Sequence, residues 1–494
     1  MRTEKYASLE ITKTEIRFEV VKYRYLNIVN GQSKKTIKVI YKYREKGLFL
    51  TDDGVVADPK LIGRHLRNAI DKYEREHSTK IENVALVLPT NKIKILESSL
   101  SRILTLPGSN SPVKITQNLI NEINNDFSKS NFNKNESVVL IRPTRFVIDD
   151  NIIKGVKPLN KFAHKLTINA NVYFLPTELV NSHYSVLKLA KVNLLNMIIS
   201  PFALANVAIQ HSDFKNSVNV LVNWDYDCVS LSFFARETLT YYRQLKIGLN
   251  KMITNIAKKM NAKPQVIEGY LFNLTDFKYD DMDNSLIYRK YDKISKQTKE
   301  YSVEQIKAII LEEINEIIDK MDFYIENDLK TKTNSEITIY HVGKITNISG
   351  FTSLLRRSNI SKQKVYFSQI IGANEIWTIA LTGAAIINHK INKGLANPKY
   401  SEWDSNILES NVNQQNAMNN NNGMQQQRMP EHKINQMQPN YQQQQMMIQN
   451  QNSQPEFMPS NGSIRPGAHH NNLKGLDPNK PIYQQLHNQQ NKKF

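Results

Sequence analysis

The chain repeats one order of predicted elements in its two halves: three strands, a helix and a further strand. Apolar residues that alternate or run together predict the strands, and apolar residues at helical spacing predict the helix. A chain of 494 residues that contains this unit twice favours an α/β architecture with two similar halves. The predicted strands are 7–12, 15–24, 36–44 and 84–88 in the first half, and 218–222, 229–235, 238–245 and 337–342 in the second.

Two predicted helices have clear start signals in the sequence. Asp58 suits the N-cap position and Pro59 the first helical position of the helix in the first half. Ser302 and Gln305 form a capping box, which predicts that a long helix begins at Val303. Further helices are predicted at 249–260, 352–357 and 376–387.

Two segments lie outside the repeated unit. Between the halves, a helix pattern at 115–123 and strands at 137–141, 145–148 and 171–175 predict an inserted α+β subdomain. From about residue 400, Gln, Asn and Met dominate the sequence. Such a composition cannot bury enough apolar surface to offset chain entropy, so we predict a disordered tail.

The composition of the chain indicates in which compartment the protein is found and which partners it binds. Cys228 is the single cysteine, so no intrachain disulfide can form, which fits a reducing compartment. The amino terminus lacks the apolar stretch of a signal peptide, and no run is long enough for a spanning helix. The net charge of +19 is spread along the chain without a nucleic-acid-binding motif. We therefore expect a cytoplasmic protein that binds no nucleic acid and contacts an anionic membrane surface weakly.

Other candidate chemistries are poorly supported by the sequence. His65 is expected to be a surface or half-buried residue, His341 to be packed rather than catalytic, and Cys228 to be a residue at the edge of the core. The pair at 469–470 is expected to be solvated, and the acidic run 280–283 to be a polar loop. No catalytic residue, metal ligand or cofactor is therefore predicted.

Five segments, in order, resemble FtsA, the bacterial actin homologue that ties the FtsZ ring to the membrane. Residues 8–16 (SLEITKTEI) resemble the opening strand and first phosphate loop of that family, and residues 222–230 (VNWDYDCVS) align without a gap on its VDIGGGTMD. Residues 54–58 and 248–256 resemble further segments of the family, and residues 339–351 match another in length and apolar pattern. A pilus-assembly relative of the PilM type shares the insertion and stays an alternative, whereas actins and MreB proteins carry a different one.

The resemblance implies an actin-like fold, with two RNase H-like halves of the ASKHA superfamily. It also implies an FtsA-type insertion, an SHS2-like α+β subdomain, and the disordered tail. The implied domains are 1–83 (start of subdomain 1A), 84–180 (inserted subdomain 1C), 181–261 (rest of 1A and start of 2A), 262–332 (subdomain 2B), 333–398 (rest of 2A) and 399–494 (tail).

In this superfamily, glycines at two hairpin turns and after a late strand let backbone N–H groups approach the nucleotide phosphates. Here the glycine positions hold a threonine in the first turn, two aspartates and a tyrosine in the second, and one lysine in the third loop. We expect weak or lost nucleotide binding, unless the second turn is shifted by one or two residues. The degenerate pocket comprises Thr12, Lys13, Thr14, Asp225, Tyr226, Asp227, Gly343 and Lys344.

The resemblance also implies partners. FtsA relatives bind the C-terminal peptide of FtsZ with their fourth subdomain, here about 262–332, and they self-associate. The acids Glu304, Glu312, Glu313 and Glu316 of the helix 303–321 are candidates to meet basic residues of that peptide, or form a solvated face. The end of the chain, around 482–493, is a poor version of the family's membrane helix.

The leading hypothesis is a non-enzymatic scaffold that binds FtsZ and self-associates on the inner face of the cell membrane. A band at midcell would support this hypothesis. One alternative is an actin-like ATP-binding protein with unconventional phosphate loops that uses Lys13, Thr14 and Lys344. Another is a cytoskeletal adaptor outside division that uses its tail as an interaction arm.

Overall fold

A computed structural model describes residues 2–27, 33–105, 110–129, 133, 135–153, 158–278, 284–292, 296–330, 335–358, 360 and 362–392. The tail predicted from residue 399, the acidic run 280–283 and the histidine pair at 469–470 lie outside the described residues. Within them, no helix is long and apolar enough to cross a membrane.

The first half begins with the predicted unit. The side chain of Asp58 accepts a hydrogen bond from the N–H of Leu61 at 2.9 Å, so the predicted N-cap and helix start at Pro59 are confirmed. The elements are β1 (Arg2–Ile11), β2 (Glu15–Asn27), β3 (Ser33–Lys46), α1 (Pro59–His77) and β4 (Asn83–Leu88).

The inserted segment forms an antiparallel sheet with one helix packed on it, as the α+β prediction required. Its strand from Lys94 to Ile103 was not predicted, and the two strands predicted at 137–141 and 145–148 are one continuous strand. The elements are β5 (Lys94–Ile103), β6 (Val113–Lys114), α2 (Gln117–Lys129), β7 (Glu136–Ile148), β8 (Asn151–Ile153), β9 (Phe162–Ala163) and β10 (Lys165–Pro176).

The chain then returns to the first sheet before the second half begins. The predicted strands at 229–235, 238–245 and 337–342 match the structure, and the capping box of Ser302 and Gln305 is formed. The returning elements are α3 (Thr177–Leu189), β11 (Asn193–Ile199), α4 (Ser200–Ala208) and α5 (His211–Asn216). The second half contains β12 (Val218–Trp224), β13 (Val229–Ala235), β14 (Thr238–Leu245), α6 (Leu249–Met260), α7 (Pro264–Gly269), β15 (Leu286–Asp292), β16 (Gln297–Ser302), α8 (Val303–Ile325), β17 (Ile337–Val342), α9 (Phe351–Leu354), β18 (Gln363–Val365) and α10 (Ile379–Ile391).

The two halves have the same sheet topology. The strand order is β11-β4-β1-β2-β3 in the first sheet and β18-β17-β12-β13-β14 in the second. The first three strands of each sheet along the chain (β1, β2 and β3, or β12, β13 and β14) pair antiparallel. The two later strands (β4 and β11, or β17 and β18) run parallel to the first strand of their sheet. This duplicated order is that of the actin-like fold, so the predicted actin-like fold is confirmed.

The inserted sheet is separate from the two main sheets. Its strand order is β5-β10-β7-β8. The strand β4 lies in the first sheet, because it pairs in parallel with β1, although the predicted insertion 84–180 included it. The insertion therefore begins after β4 and its sheet runs from Lys94 to Pro176.

Candidate functional site

The two phosphate-loop positions form equivalent hairpin turns. In the first half Ile11 pairs with Ile16, and in the second Trp224 pairs with Val229, so four residues make each turn. The N–H of the first turn residue donates to the C=O of the fourth in both turns, at 2.8 Å from Thr12 and 3.2 Å from Asp225. Residues 225–227 therefore lie within the second turn.

The first turn is already hydrogen bonded within the first half. The hydroxyl of Thr12 accepts from the N–H of Glu15 at 3.0 Å. Lys13 Nζ lies 2.6 Å from Asp52 Oδ1, and this hydrogen bond raises the pKa of Lys13. The C=O of Thr14 accepts from the N–H of Gly47 at 3.0 Å. A phosphate that used Lys13 would have to replace Asp52.

The second turn occupies the amino end of α6. The C=O groups of Asp225 and Tyr226 accept from the N–H groups of Leu249 at 3.1 Å and Asn250 at 2.9 Å. The free N–H groups at a helix amino terminus commonly bind phosphate. Here two of them are bonded to the protein's own backbone, which leaves fewer donors for a nucleotide.

Two glycines beside the second turn are needed for close backbone approach. A Cβ at Gly343, which has a φ of +107°, would lie 2.4 Å from the C=O oxygen of Trp224. A Cβ at Gly248 would lie 2.4 Å from the backbone of Asp227. The retained Gly343 is thus explained by packing against β12, without any need for a nucleotide.

The second turn also carries negative charge into the region where the two turns meet, which is called the cleft below. Burial raises the pKa of Asp227, and the carboxylates of Asp225 and Asp52 raise it further against the opposing effect of Lys13. The phenol of Tyr226 is half-buried, and burial, Glu268 and Asp227 raise its pKa. A phosphate placed here would add negative charge beside carboxylates that already repel one another.

The lysine of the third loop is paired as well. Lys344 Nζ lies 2.5 Å from Glu268 Oε1. Its ammonium also lies over the rings of Tyr226 and Phe272, at 5.8 and 5.4 Å from their centroids. Lys344 therefore has a carboxylate and two aromatic faces as partners within the second half.

A buried ion-pair group of the first half faces the second turn. Arg17 lies 2.8 Å from both Glu10 and Glu15. Burial alone would lower the pKa of Arg17, but Glu10, Asp225 and Glu15 together raise it. Asp225, from the second half, thus supports the charge of an arginine in the first. Sequence reasoning missed Glu10 and Arg17, because a charged residue within a strand gives no local sign of its partner.

Side chains also join the halves away from the turns. The hydroxyl of Thr90, just after β4, donates to the hydroxyl of Tyr242 on β14 at 2.5 Å. The hydroxyl of Tyr173 on β10 donates to the C=O of Leu239 at 2.7 Å. Hydrogen bonds of the protein itself therefore connect the two sides of the cleft.

The remaining candidate nucleophile and bases are not poised for catalysis. Burial, together with Asp225, raises the pKa of the Cys228 thiol to about 12, so the thiolate is scarce at neutral pH. His341 is fully buried, and its ring nitrogens bond to Trp224 Nε1 at 2.9 Å and Gln363 Oε1 at 2.8 Å. Burial lowers the pKa of His341 to about 4. His65 is half-buried, as expected, and its Nδ1 lies 3.3 Å from the hydroxyl of Tyr43.

No group of three or more His, Cys, Asp or Glu side chains that could hold a metal ion occurs among the described residues.

The acids predicted to meet a peptide on α8 are largely paired internally. Glu313 is buried, accepts from Asn255 Nδ2 at 2.9 Å and lies 2.8 Å from Lys259. Glu312 lies 3.0 Å from the same lysine, and Glu316 lies 2.5 Å from Lys320. The prediction that Glu313 meets a peptide or forms a solvated face is wrong. Glu313 lies on the apolar face of α8, and this face is turned towards α6.

Comparisons with known proteins give structures but no family. No family model and no curated protein matches the chain. It is similar to the PilM–PilN type IV pilus biogenesis complex, with 12% identity over 77% of this chain and 97% of that chain, and a TM-score of 0.49. It is also similar to MreB5 of Spiroplasma citri bound to ADP (14% identity, 80% and 99% covered, TM-score 0.44) and to the apo form of pSK41 ParM (9% identity, 78% and 98% covered, TM-score 0.37). The fold assignment rests on the chain's own duplicated strand order.

Proposed function

We propose that the chain is a non-enzymatic, actin-like scaffold whose cleft is held by its own side chains and which binds nucleotide weakly or not at all. One observation carries the proposal: the C=O groups of Asp225 and Tyr226 bond to the first N–H groups of α6. In this arrangement the second turn takes the place that a phosphate needs.

The cations of the cleft do not offset this arrangement. Lys13 is paired with Asp52 and Lys344 with Glu268, so a phosphate would have to break two ion pairs. It would also approach Asp225 and Asp227, and each like-charge contact at about 4 Å costs about 1–4 kcal/mol, depending on the local dielectric. The alternative of an ATP-binding protein with unconventional loops requires both ion pairs to open.

Calorimetry of the full chain with Mg-ATP tests the proposal. We expect no binding tighter than about 100 μM, and therefore almost no rise in melting temperature at millimolar Mg-ATP. The variant Lys13→Ala serves as a matched control, because its titration should equal that of the unchanged chain. A submicromolar affinity that is lost in Lys13→Ala would contradict the scaffold proposal and support the ATP-binding alternative.

We further propose that the scaffold self-associates on the inner face of the cell membrane and binds the C-terminal peptide of FtsZ. The support is the sequence resemblance to FtsA together with the actin-like fold. On α8, the outer face of the fourth subdomain still offers Glu312, Glu316 and the exposed ring of Phe323. Acidic groups around an exposed aromatic ring suit a peptide that carries both basic and apolar residues.

Fluorescence anisotropy with a labelled FtsZ C-terminal peptide tests this partner. Phe323 is 60% exposed, and Phe323→Ala is expected to weaken peptide binding about tenfold or more, because aromatic anchors dominate such interfaces. Phe367→Ala is the matched control, since that ring is 65% exposed in a different region of the chain. If the unchanged chain does not bind the peptide, the adaptor outside division becomes the better proposal.

A further inference from the structure

One edge of the inserted sheet is open along a long strand. The strand β5 pairs with β10 over all ten of its residues, from Lys94 to Ile103, without a register shift. Within the described part of the chain, no strand pairs with its other side. An open edge presents a row of N–H and C=O groups that another strand can bind.

A comparable edge in the first sheet is protected. The edge strand β3 carries the exposed lysines Lys35, Lys38 and Lys42. The N–H of Val39 is also bonded to the C=O of Ile371 at 2.9 Å, so a neighbouring segment covers part of the strand. Edge lysines and covering segments are common ways in which proteins prevent strands from pairing with other chains.

The strand β5 lacks these protections in its central part. Between Glu97 and Arg102 it reads Ser98, Ser99, Leu100 and Ser101, without charge, proline or bulge. The opposite edge of the same sheet, β8, has only three residues. The inserted sheet thus has one long edge that can accept a strand.

The sequence of β5 is compatible with pairing to itself. When a two-fold axis perpendicular to the sheet relates two antiparallel strands, directly opposed side chains point to the same face of the sheet. The residue numbers of two opposed residues must therefore differ by an even number. With the axis at Ser99, no like charges face each other, which avoids the repulsion that opposes many strand pairs. The opposed pairs are Ser99 with Ser99, Ser98 with Leu100, Glu97 with Ser101, Leu96 with Arg102 and Ile95 with Ile103.

Contacts within the chain hold the strand ready for pairing. The hydroxyl of Ser99 donates to Asn169 Oδ1 at 2.8 Å, and that of Ser101 lies 2.7 Å from the hydroxyl of Thr167. Arg102 is bound to Glu122 on α2 at 2.7 Å. A strand that is already ordered loses less conformational entropy when it binds.

We propose that β5 pairs antiparallel with β5 of a second copy about Ser99, which joins the two inserted sheets into one sheet of eight strands. The proposal rests on the proposed self-association and names a surface for it. The second copy is favoured over a strand of another protein because the charge pattern fits itself. The pairing would also cover Ile103, which is 75% exposed.

Disulfide trapping in the full chain tests the register. In the background Cys228→Ser, the variant Ser99→Cys places two thiols on opposed residues, whose Cα atoms lie about 4.5–5.5 Å apart in antiparallel pairs. That separation permits a disulfide, so a covalent dimer is expected on mild oxidation. The matched control is Ser101→Cys in the same background, which faces Glu97 and should form no disulfide-linked dimer. Equal trapping of both variants, or none of Ser99→Cys, would overturn the proposed register.

Sedimentation velocity of the full chain separates this surface from the wider proposal. Ser99→Lys sets two ammonium groups opposite each other and is expected to raise the dimer dissociation constant at least about tenfold. Asn151→Lys adds the same charge on the short edge strand β8 and should leave the constant unchanged. Self-association that Ser99→Lys does not weaken would overturn the β5 pairing but leave the scaffold proposal intact. A chain that stays monomeric at about 100 μM would overturn both.

Discussion

The substitution Glu19→Gln is expected to raise the free energy of unfolding at pH 7 by about 3 kcal/mol. Glu19 lies on β2 and is fully buried. Its Oε1 accepts from the hydroxyl of Thr382 on α10 at 2.7 Å, whereas no described residue donates to Oε2. The hydroxyl of Ser8, directly across the strand pair, is also buried and has no partner among the described residues. A glutamine amide is neutral and can donate to this hydroxyl.

The expected gain follows from the protonation of Glu19. Burial raises its pKa to about 8, although the hydrogen bond from Thr382 and the charge of Lys42 act in the other direction. The folded chain therefore keeps this carboxyl protonated at pH 7, while the unfolded chain ionises it above about pH 4.5. Its contribution to stability is complete below that pH and falls by about 1.4 kcal/mol per pH unit until about pH 8.

Urea unfolding at several pH values between 5 and 8 measures this effect. The stability difference between Glu19→Gln and the unchanged chain should grow as the pH rises. Glu76→Gln, which removes a carboxylate from the exposed surface of α1, is the matched control for the change in net charge. A difference that stays constant from pH 5 to pH 8 would show that the Glu19 pKa is not raised.

Most of the main fold could be predicted because its strands are continuous apolar runs. The strands β4 and β17 are almost entirely buried, and their patterns differ clearly from the surrounding loops. The strand β5 could not be found this way, because an exposed edge strand with three serines in its central part has no apolar alternation. The hairpin of β15 and β16 was missed for the same reason, since most of its side chains are exposed.

The candidate site was predictable in position but not in its contacts. The missing glycines placed residues 225–227 at a turn, and the pairing of Trp224 with Val229 puts them there. The partners of the cleft lysines could not be predicted, because Asp52 lies 39 residues from Lys13 and Glu268 lies 76 residues from Lys344. Such pairs depend on how distant turns meet in the folded chain.

A second large effect is expected where α10 crosses α4. Gly383 lies within α10, and a Cβ at this position would lie 1.8 Å from the C=O oxygen of Ala203 on α4. Alanine is the better helix former by about 1 kcal/mol, so propensity alone would favour Gly383→Ala. The contact is with backbone, which cannot move aside as a flexible side chain can. We therefore expect Gly383→Ala to lower the free energy of unfolding by about 3 kcal/mol or more.

A glycine-to-alanine substitution at another helical position is expected to change the stability in the opposite direction. At Gly269, which ends α7 with helical backbone angles, an added Cβ meets no atom within 4 Å. Gly269→Ala should therefore stabilise the chain by about 0.5–1 kcal/mol, because the unfolded state loses conformational freedom. Thermal and urea unfolding of the two variants should shift in opposite directions from the unchanged chain. If Gly383→Ala is as stable as Gly269→Ala, the two helices do not approach through Gly383.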